Sequence, residues 1–150
     1  MTGGPSLKTR ALGYLARREH SRLELEKKLA PHAHTPAELS AVLDALEQHD
    51  FLSAKRMVEQ VVHVRRKKFG SQRIAYELRE KGIAEDLIAA ALPELKETEL
   101  DAAREVWRKR FAAPPANAKE RGRQMRFLLG RGFAPGVIRE VLLYPDKEEA

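Results

Sequence analysis

The stretch Lys81-Gly82-Ile83-Ala84-Glu85-Asp86-Leu87-Ile88-Ala89-Ala90-Ala91-Leu92 recurs fifty residues later as Arg131-Gly132-Phe133-Ala134-Pro135-Gly136-Val137-Ile138-Arg139-Glu140-Val141-Leu142. Four of the twelve positions are identical, and four more exchange similar side chains (Lys/Arg, Ile/Phe, Leu/Val and Ala/Val). In each copy a glycine closes one helix in the position that favours a left-handed residue, and an apolar stripe then opens another. Leu78 and Leu128 keep the same register upstream. The first fifty residues follow the same order of long helix, capped helix and third helix. An internal repeat of this length implies an all-α chain of three tandem three-helix units, divided at residues 1–52, 53–95 and 96–150. A fifty-residue unit buries little by itself, so neighbouring units should stack into an elongated array.

Working outward, apolar spacing is helical nearly everywhere. Leu7, Ala11, Tyr14 and Leu15 make one stripe, and Leu25 and Leu29 carry the next behind a Ser21–Glu24 capping box. Thr35-Pro36-Ala37-Glu38 combines a cap, a first-turn proline and an N3 glutamate, followed by Leu39, Val42, Leu43 and Leu46. A helix from Ser53 should point Met57, Val61 and Val64 inward. Gly70 breaks it, and Ser71 can cap a helix buried through Ile74 and Leu78. Leu87, Ile88, Ala91 and Leu92 line a short helix that Pro93 should stop, and Leu100, Ala103, Trp107 and Phe111 line a separate longer one. After Ala113-Pro114-Pro115-Ala116, Asn117–Glu120 reads as another capping box. Leu128 lies in that helix, and Val137, Ile138, Val141 and Leu142 line the last. No segment alternates with period 2, so no strand is expected.

The chain has 150 residues, 43% hydrophobic but only 6% aromatic, with 33% charged and no cysteine. Helix formers and charge suit slim packed helices, and disulfides and thiolate metal sites are excluded. No window approaches the ~20 apolar residues of a spanning helix, and no signal peptide is visible, so a cytoplasmic protein away from the membrane is expected. The 28 Lys and Arg against 22 Asp and Glu give +6. That charge rises along the chain, from 0 over residues 1–50 to +2 over 51–100 and +4 over 101–150. A basic gradient favours an anionic partner, either nucleic acid or an acidic protein surface.

Catalytic arrangements are thin. No serine has a His and an acid at suitable spacing, and no glycine-rich loop follows a strand to hold phosphates. His32 and His34 beside Pro31 and Pro36 read as an exposed loop, His20 as a turn former beside Ser21, and Trp107 with Phe111 as core. Neither enzymatic activity, cofactor nor metal is expected. Ser71–Leu92 has the outline of a helix-turn-helix, yet Glu85 and Asp86 would meet phosphate at its reading helix, which argues against base readout. The basic clusters carry more information. Arg65-Arg66-Lys67-Lys68 covers every face of a helix turn, more than offsetting a helix dipole needs. Arg108-Lys109-Arg110 ends a later helix similarly, and Arg121, Arg123, Arg126 and Arg131 follow.

Three separate motifs resemble the RecX family of bacterial regulatory proteins. Tyr14-Leu15-Ala16-Arg17-Arg18-Glu19-His20-Ser21, continuing through Glu24-Leu25 to Lys28-Leu29, is similar to the family's opening Y-L-x-R-R-E-H-S-x-x-E-L-x-x-K-L. The second motif runs from Arg65 through Gly70 and Ile74 to Glu77-Leu78-Arg79-Glu80-Lys81-Gly82-Ile83. The third, Arg126-Phe127-Leu128-Leu129-Gly130-Arg131-Gly132-Phe133, is similar to R-F-L-x-x-R-G-F. Together they span about residues 7–143. The chain departs from the family's L-x-D-x-x-F at the start of the second unit, where it carries Leu52, Ala54 and Met57.

The resemblance implies a curved, elongated array. It also implies a monomeric regulator that lodges in the groove of the RecA filament on single-stranded DNA and mainly inhibits recombinase, ATPase and coprotease activity in DNA repair and the SOS response. Single- or double-stranded DNA is a further ligand it suggests, and a nonspecific DNA-binding helical protein with no recombinase partner is the alternative. The residues expected to contact filament or DNA are Arg17, Arg18, Arg65, Arg66, Lys67, Arg79, Lys81, Arg126 and Arg131. Lys81 and Arg131 hold the same place in two repeats, just before the helix-ending glycine.

Overall fold

The periodic apolar stripes become eight α-helices in the computed structural model, which describes residues 4–145 and contains no strand among them. In chain order these are α1 Leu7–Arg17, α2 Arg22–Leu29, α3 Pro36–Gln48, α4 Ala54–Arg65, α5 Ser71–Glu80, α6 Glu85–Arg110, α7 Ala118–Gly130 and α8 Pro135–Leu143. A single 3-10 turn, Ala30–His32, follows α2.

Local chemistry sets most boundaries. Ser21 Oγ accepts from the Glu24 amide at 3.1 Å, and Glu24 accepts from the Ser21 amide at 3.0 Å, closing the capping box. Thr35 and Ser53 cap α3 and α4 by accepting from the Glu38 and Arg56 amides at 3.1 and 3.2 Å, without the reciprocal bond of a box. Asn117 caps α7 by accepting from the Glu120 amide at 2.9 Å. Glu120 itself reaches back to the Ala116 amide at 2.7 Å and not to Asn117, so the expected box is displaced by one residue. Gly82 and Gly132 end their helices at φ of +77° and +93°, the left-handed region that glycine enters at no steric cost.

The helices enclose three separate apolar cores. Leu7, Ala11, Leu25, Leu29, Leu39, Leu43, Leu46 and Leu52 form the first. The second contains Met57, Val58, Val61, Ile74, Ala75, Leu78, Ile83, Ile88 and Leu95. The third contains Ala103, Val106, Trp107, Leu128, Phe133, Ile138, Val141 and Leu142. Each fully buried Leu or Ile contributes about 1.5–3 kcal/mol relative to exposure. Trp107 donates its indole N–H to Gln124 at 2.8 Å, so the one buried polar edge of this aromatic is satisfied.

Three further sequence expectations are corrected. Pro93 does not stop a helix: α6 runs unbroken through it for 26 residues and serves both the second and the third core. The carbonyl that a proline leaves unbonded is that of Ala89, and both Ala89 and Pro93 are exposed, so water can satisfy it. Val64 does not face inward but is 57% exposed, because α4 extends past its core and Val58 takes the inward place. Ser71 is not the cap of α5: Gly70 holds that position, and Ser71 turns its hydroxyl to Glu99 at 2.7 Å.

The units are joined in different ways. Between the second and third, the Gly70 amide donates to the Arg131 carbonyl at 2.7 Å and the Gln72 amide to the Gly132 carbonyl at 3.2 Å. Beside this crossing, the buried Glu99 carboxylate accepts from the Ser71 amide at 3.1 Å and from Arg66 Nη1 at 2.6 Å. Arg66 also donates to the Leu95 carbonyl. Between the first and second units Arg56 pairs with Glu19 at 2.9 Å and Lys81 with Glu24 at 3.3 Å, the Glu19 amide donates to Gln60 at 3.1 Å, and Leu23 packs against Gly82.

Candidate functional site

A basic side chain contributes to binding an external anion only insofar as its charge is not already neutralised within the fold, and the structure sorts the cations by that criterion. Of the nine residues expected to form contacts, five have carboxylate partners. Arg18 and Lys81 both reach Glu24, at 3.0 and 3.3 Å, Arg65 reaches Glu77 at 3.0 Å, Arg66 reaches Glu99 and Arg79 reaches Glu85 at 2.6 Å. Arg66 is the most committed, since its side chain is only 15% exposed and it bonds Glu99, Thr98 and Leu95 together. Arg17, Lys67, Arg126 and Arg131 have no ion-pair partner among the described residues.

Glu24 is the hub of the first joint. Burial by itself would push its carboxyl upward, but hydrogen bonds from Arg18 and the Ser21 amide, with the Lys81 charge nearby, hold it at about 2. Next to it His20 is buried, and burial lowers its pKa. Its Nδ1 lies 3.1 Å from the Arg18 carbonyl and must donate there, which leaves Nε2 to accept from Lys28 Nζ at 2.8 Å. The string from Arg18 to Ser21 is therefore engaged at and beside the first joint. His32 and His34 are exposed, and among the described residues no group of three His, Cys, Asp or Glu side chains could hold a metal ion.

Unneutralised cations gather instead at the second joint, interleaved with three half-buried phenylalanines. Arg73 lies 4.8 Å and Arg131 5.4 Å from the centre of the Phe69 ring. Arg131 is also 5.0 Å from Phe127, and Arg110 is 5.6 Å from both Phe127 and Phe111. Arg123 is 5.8 Å from Phe111, whose ring meets Phe127 edge to face at 5.4 Å. The result is an alternating row, Arg73–Phe69–Arg131–Phe127–Arg110–Phe111–Arg123, drawn from α4's end, α5, α6 and α7. Ring faces attract guanidinium groups without cancelling their charge, so the row is held in place while remaining cationic.

Of the expected contact residues, Lys67 and Arg131 lie at this row. Lys68, Lys109, Arg110 and Arg123 stand in the basic clusters read from the sequence but not among the expected contacts, and Arg73 is not singled out at all. A signal was present: Arg66-Lys67-Lys68-Phe69 and Arg108-Lys109-Arg110-Phe111 are the same pattern, three cations and then a phenylalanine.

Three tandem three-helix domains with a basic row across the second joint define a helical-repeat protein. The match extends along the chain domain by domain: the first three-helix domain of RecX matches residues 8–46, the second 55–92 and the third 97–142. This chain belongs to the RecX family. It is 56% identical over 143 residues to the regulatory protein RecX of Leptothrix cholodnii, covering 95% of this chain and 91% of that one. It is 50% identical over 135 residues to that of Herbaspirillum seropedicae, covering 90% and 88%. The crystal structure of RecX from Lactobacillus salivarius has the same fold, with a TM-score of 0.79 over 93% of this chain and 94% of that one at 20% identity.

Proposed function

We propose that this chain regulates the RecA recombinase by lying in the helical groove of the RecA filament on single-stranded DNA. There it spans neighbouring protomers, blocks strand exchange and coprotease activity, and favours disassembly. In this reading it works in the cytoplasm as a monomer, without catalysis, through the three units 1–52, 53–95 and 96–150. The observation that carries the proposal is the row from Arg73 to Arg123, whose arginines have no ion-pair partner among the described residues. A filament floored by nucleic acid presents regularly spaced negative charge, and an extended, fixed row of cations is its electrostatic complement. Many such contacts give affinity without a deep pocket. No helix among the described residues is long and apolar enough to cross a membrane.

The test is ATP hydrolysis by RecA on single-stranded DNA under rising amounts of this protein, with binding to naked DNA measured alongside. Inhibition at amounts well below those that coat the DNA is the expected result. Tight DNA binding with no effect on RecA would reject the proposal and favour a nonspecific DNA-binding protein, which the same cations also support.

A further inference from the structure

We propose that the cavity between the α4 end and the α6–α7 corner is a phosphate-binding subsite assembled from two units. Its walls are Lys67 and Lys68 from the second unit and Lys109, Arg110 and Arg131 from the third, over a floor of Val106 and Phe127, around a volume of about 230 Å³. No acidic residue lines it. Glu59 and Glu94 line the groove between α4 and α6 and Glu99 the one between α5 and α8, while the hollow between α1 and α3, also free of acids, is mostly apolar with Lys8 as its one lysine or arginine.

None of the five cations has an ion-pair partner among the described residues. Five like charges around one small space repel one another, and the fold keeps them there through the glycine crossing and the Arg66–Glu99 pair. A single carboxylate would offset one charge. Closely spaced phosphate groups offset several, and they suit the point charges of lysine as well as the forks of Arg110 and Arg131. The two arginines are fixed over Phe127 at 5.6 and 5.0 Å, so little side-chain freedom is lost when an anion arrives. Phosphates could come from a nucleic-acid backbone or from a free nucleoside triphosphate. The inference deepens the regulatory reading by naming the chemistry at one contact, yet it is tested with no recombinase present, so the two can fail separately.

The experiment measures binding of a short fluorescein-labelled oligothymidylate, and separately of labelled ATP, to the full chain. The double variant Lys68→Ala/Lys109→Ala is compared with Lys27→Ala/Lys119→Ala, which removes the same charge at exposed, unpaired positions elsewhere. The cavity variant should bind about tenfold more weakly, with the salt dependence reduced by roughly one and a half ions, while the control changes by less than twofold. Displacement of the oligothymidylate by ATP assigns the site to free polyphosphates, and displacement only by unlabelled oligothymidylate assigns it to the backbone. Equal loss in both double variants would overturn the proposal. So would equal competition by polyglutamate, or wild-type protein that binds neither probe.

Discussion

The backbones of Gly70 and Gly132 touch: a Cβ on Gly70 would stand 2.4 Å from the Gly132 carbonyl oxygen, and one on Gly132 would stand 2.6 Å from the Arg73 amide nitrogen. Neither neighbour is a side-chain tip that could swing aside. Gly70→Ala should therefore cost about 2–3 kcal/mol through overpacking. Gly132→Ala should cost about 1–2 kcal/mol more, because its φ of +93° also disfavours any residue with a Cβ. Urea unfolding followed by circular dichroism measures both, and wild-type midpoints would mean that the joint is open in solution.

Glu99 offers a second stability test whose sign runs against simple charge counting. In a chain of net charge +6, removing a carboxylate adds to the positive charge that attracts an anion. Yet Glu99 holds the Ser71 amide and hydroxyl and Arg66, and Glu99→Ala leaves a largely buried guanidinium without its partner. The expected loss is about 3–5 kcal/mol, with weaker DNA binding despite the higher net charge. In the double variant Arg66→Met/Glu99→Leu most of that stability should return; a double variant as unstable as Glu99→Ala would contradict the ion-pair account.

The first joint should respond to acid. Glu24 is held at about 2, below its ordinary value of 4.5, so its contribution is complete above 4.5 and is lost as pH falls through 2. His20 is also depressed, so the folded state prefers the neutral ring. That contribution is complete above the ordinary value of 6.5 and is lost as pH falls through the lower folded value. Thermal melts between pH 8 and pH 3 should thus show stability falling on acidification. Glu24→Gln should flatten the lower part of that curve and His20→Gln the upper part. Slopes unchanged in these variants would assign the acid response to other groups.

Binding should separate paired from unpaired arginines. Arg110→Ala and Arg131→Ala remove cations with no ion-pair partner among the described residues, and under the proposed function each should raise the amount of protein needed for half-inhibition of RecA ATPase by about tenfold, or about 1.4 kcal/mol. Arg18→Ala and Arg79→Ala remove cations already engaged by Glu24 and Glu85, and their effect should stay within about twofold. Equal effects across the four would mean that net charge alone governs binding.

Much of the fold was legible because its signals are local. A capping box, a Thr-Pro start and two glycines at helix ends each act within four residues, and the Lys81–Leu92 repeat shows the same solution used twice. Pro93 misled because a proline's cost depends on whether its orphan carbonyl is wet, which is a matter of exposure and not of sequence. Val64 misled because apolar spacing does not say where a core ends. The site was harder to see: Arg65, Arg66 and Arg79 look like Lys67 and Arg131 in sequence, and only the positions of Glu77, Glu99 and Glu85 distinguish spent cations from free ones.

Helix α6 has a mechanical consequence. Twenty-six residues at 1.5 Å each make a rod of about 39 Å, with Leu87 and Ile88 seated in one core and Val106 and Trp107 in the next. One continuous rod thus braces the second and third units, whereas the first meets the second through ion pairs, the Glu19–Gln60 hydrogen bond and the packing of Leu23 on Gly82. If the chain lies along a periodic partner as proposed, this rod is a ruler that sets the interval between the contacts made by the second and third units.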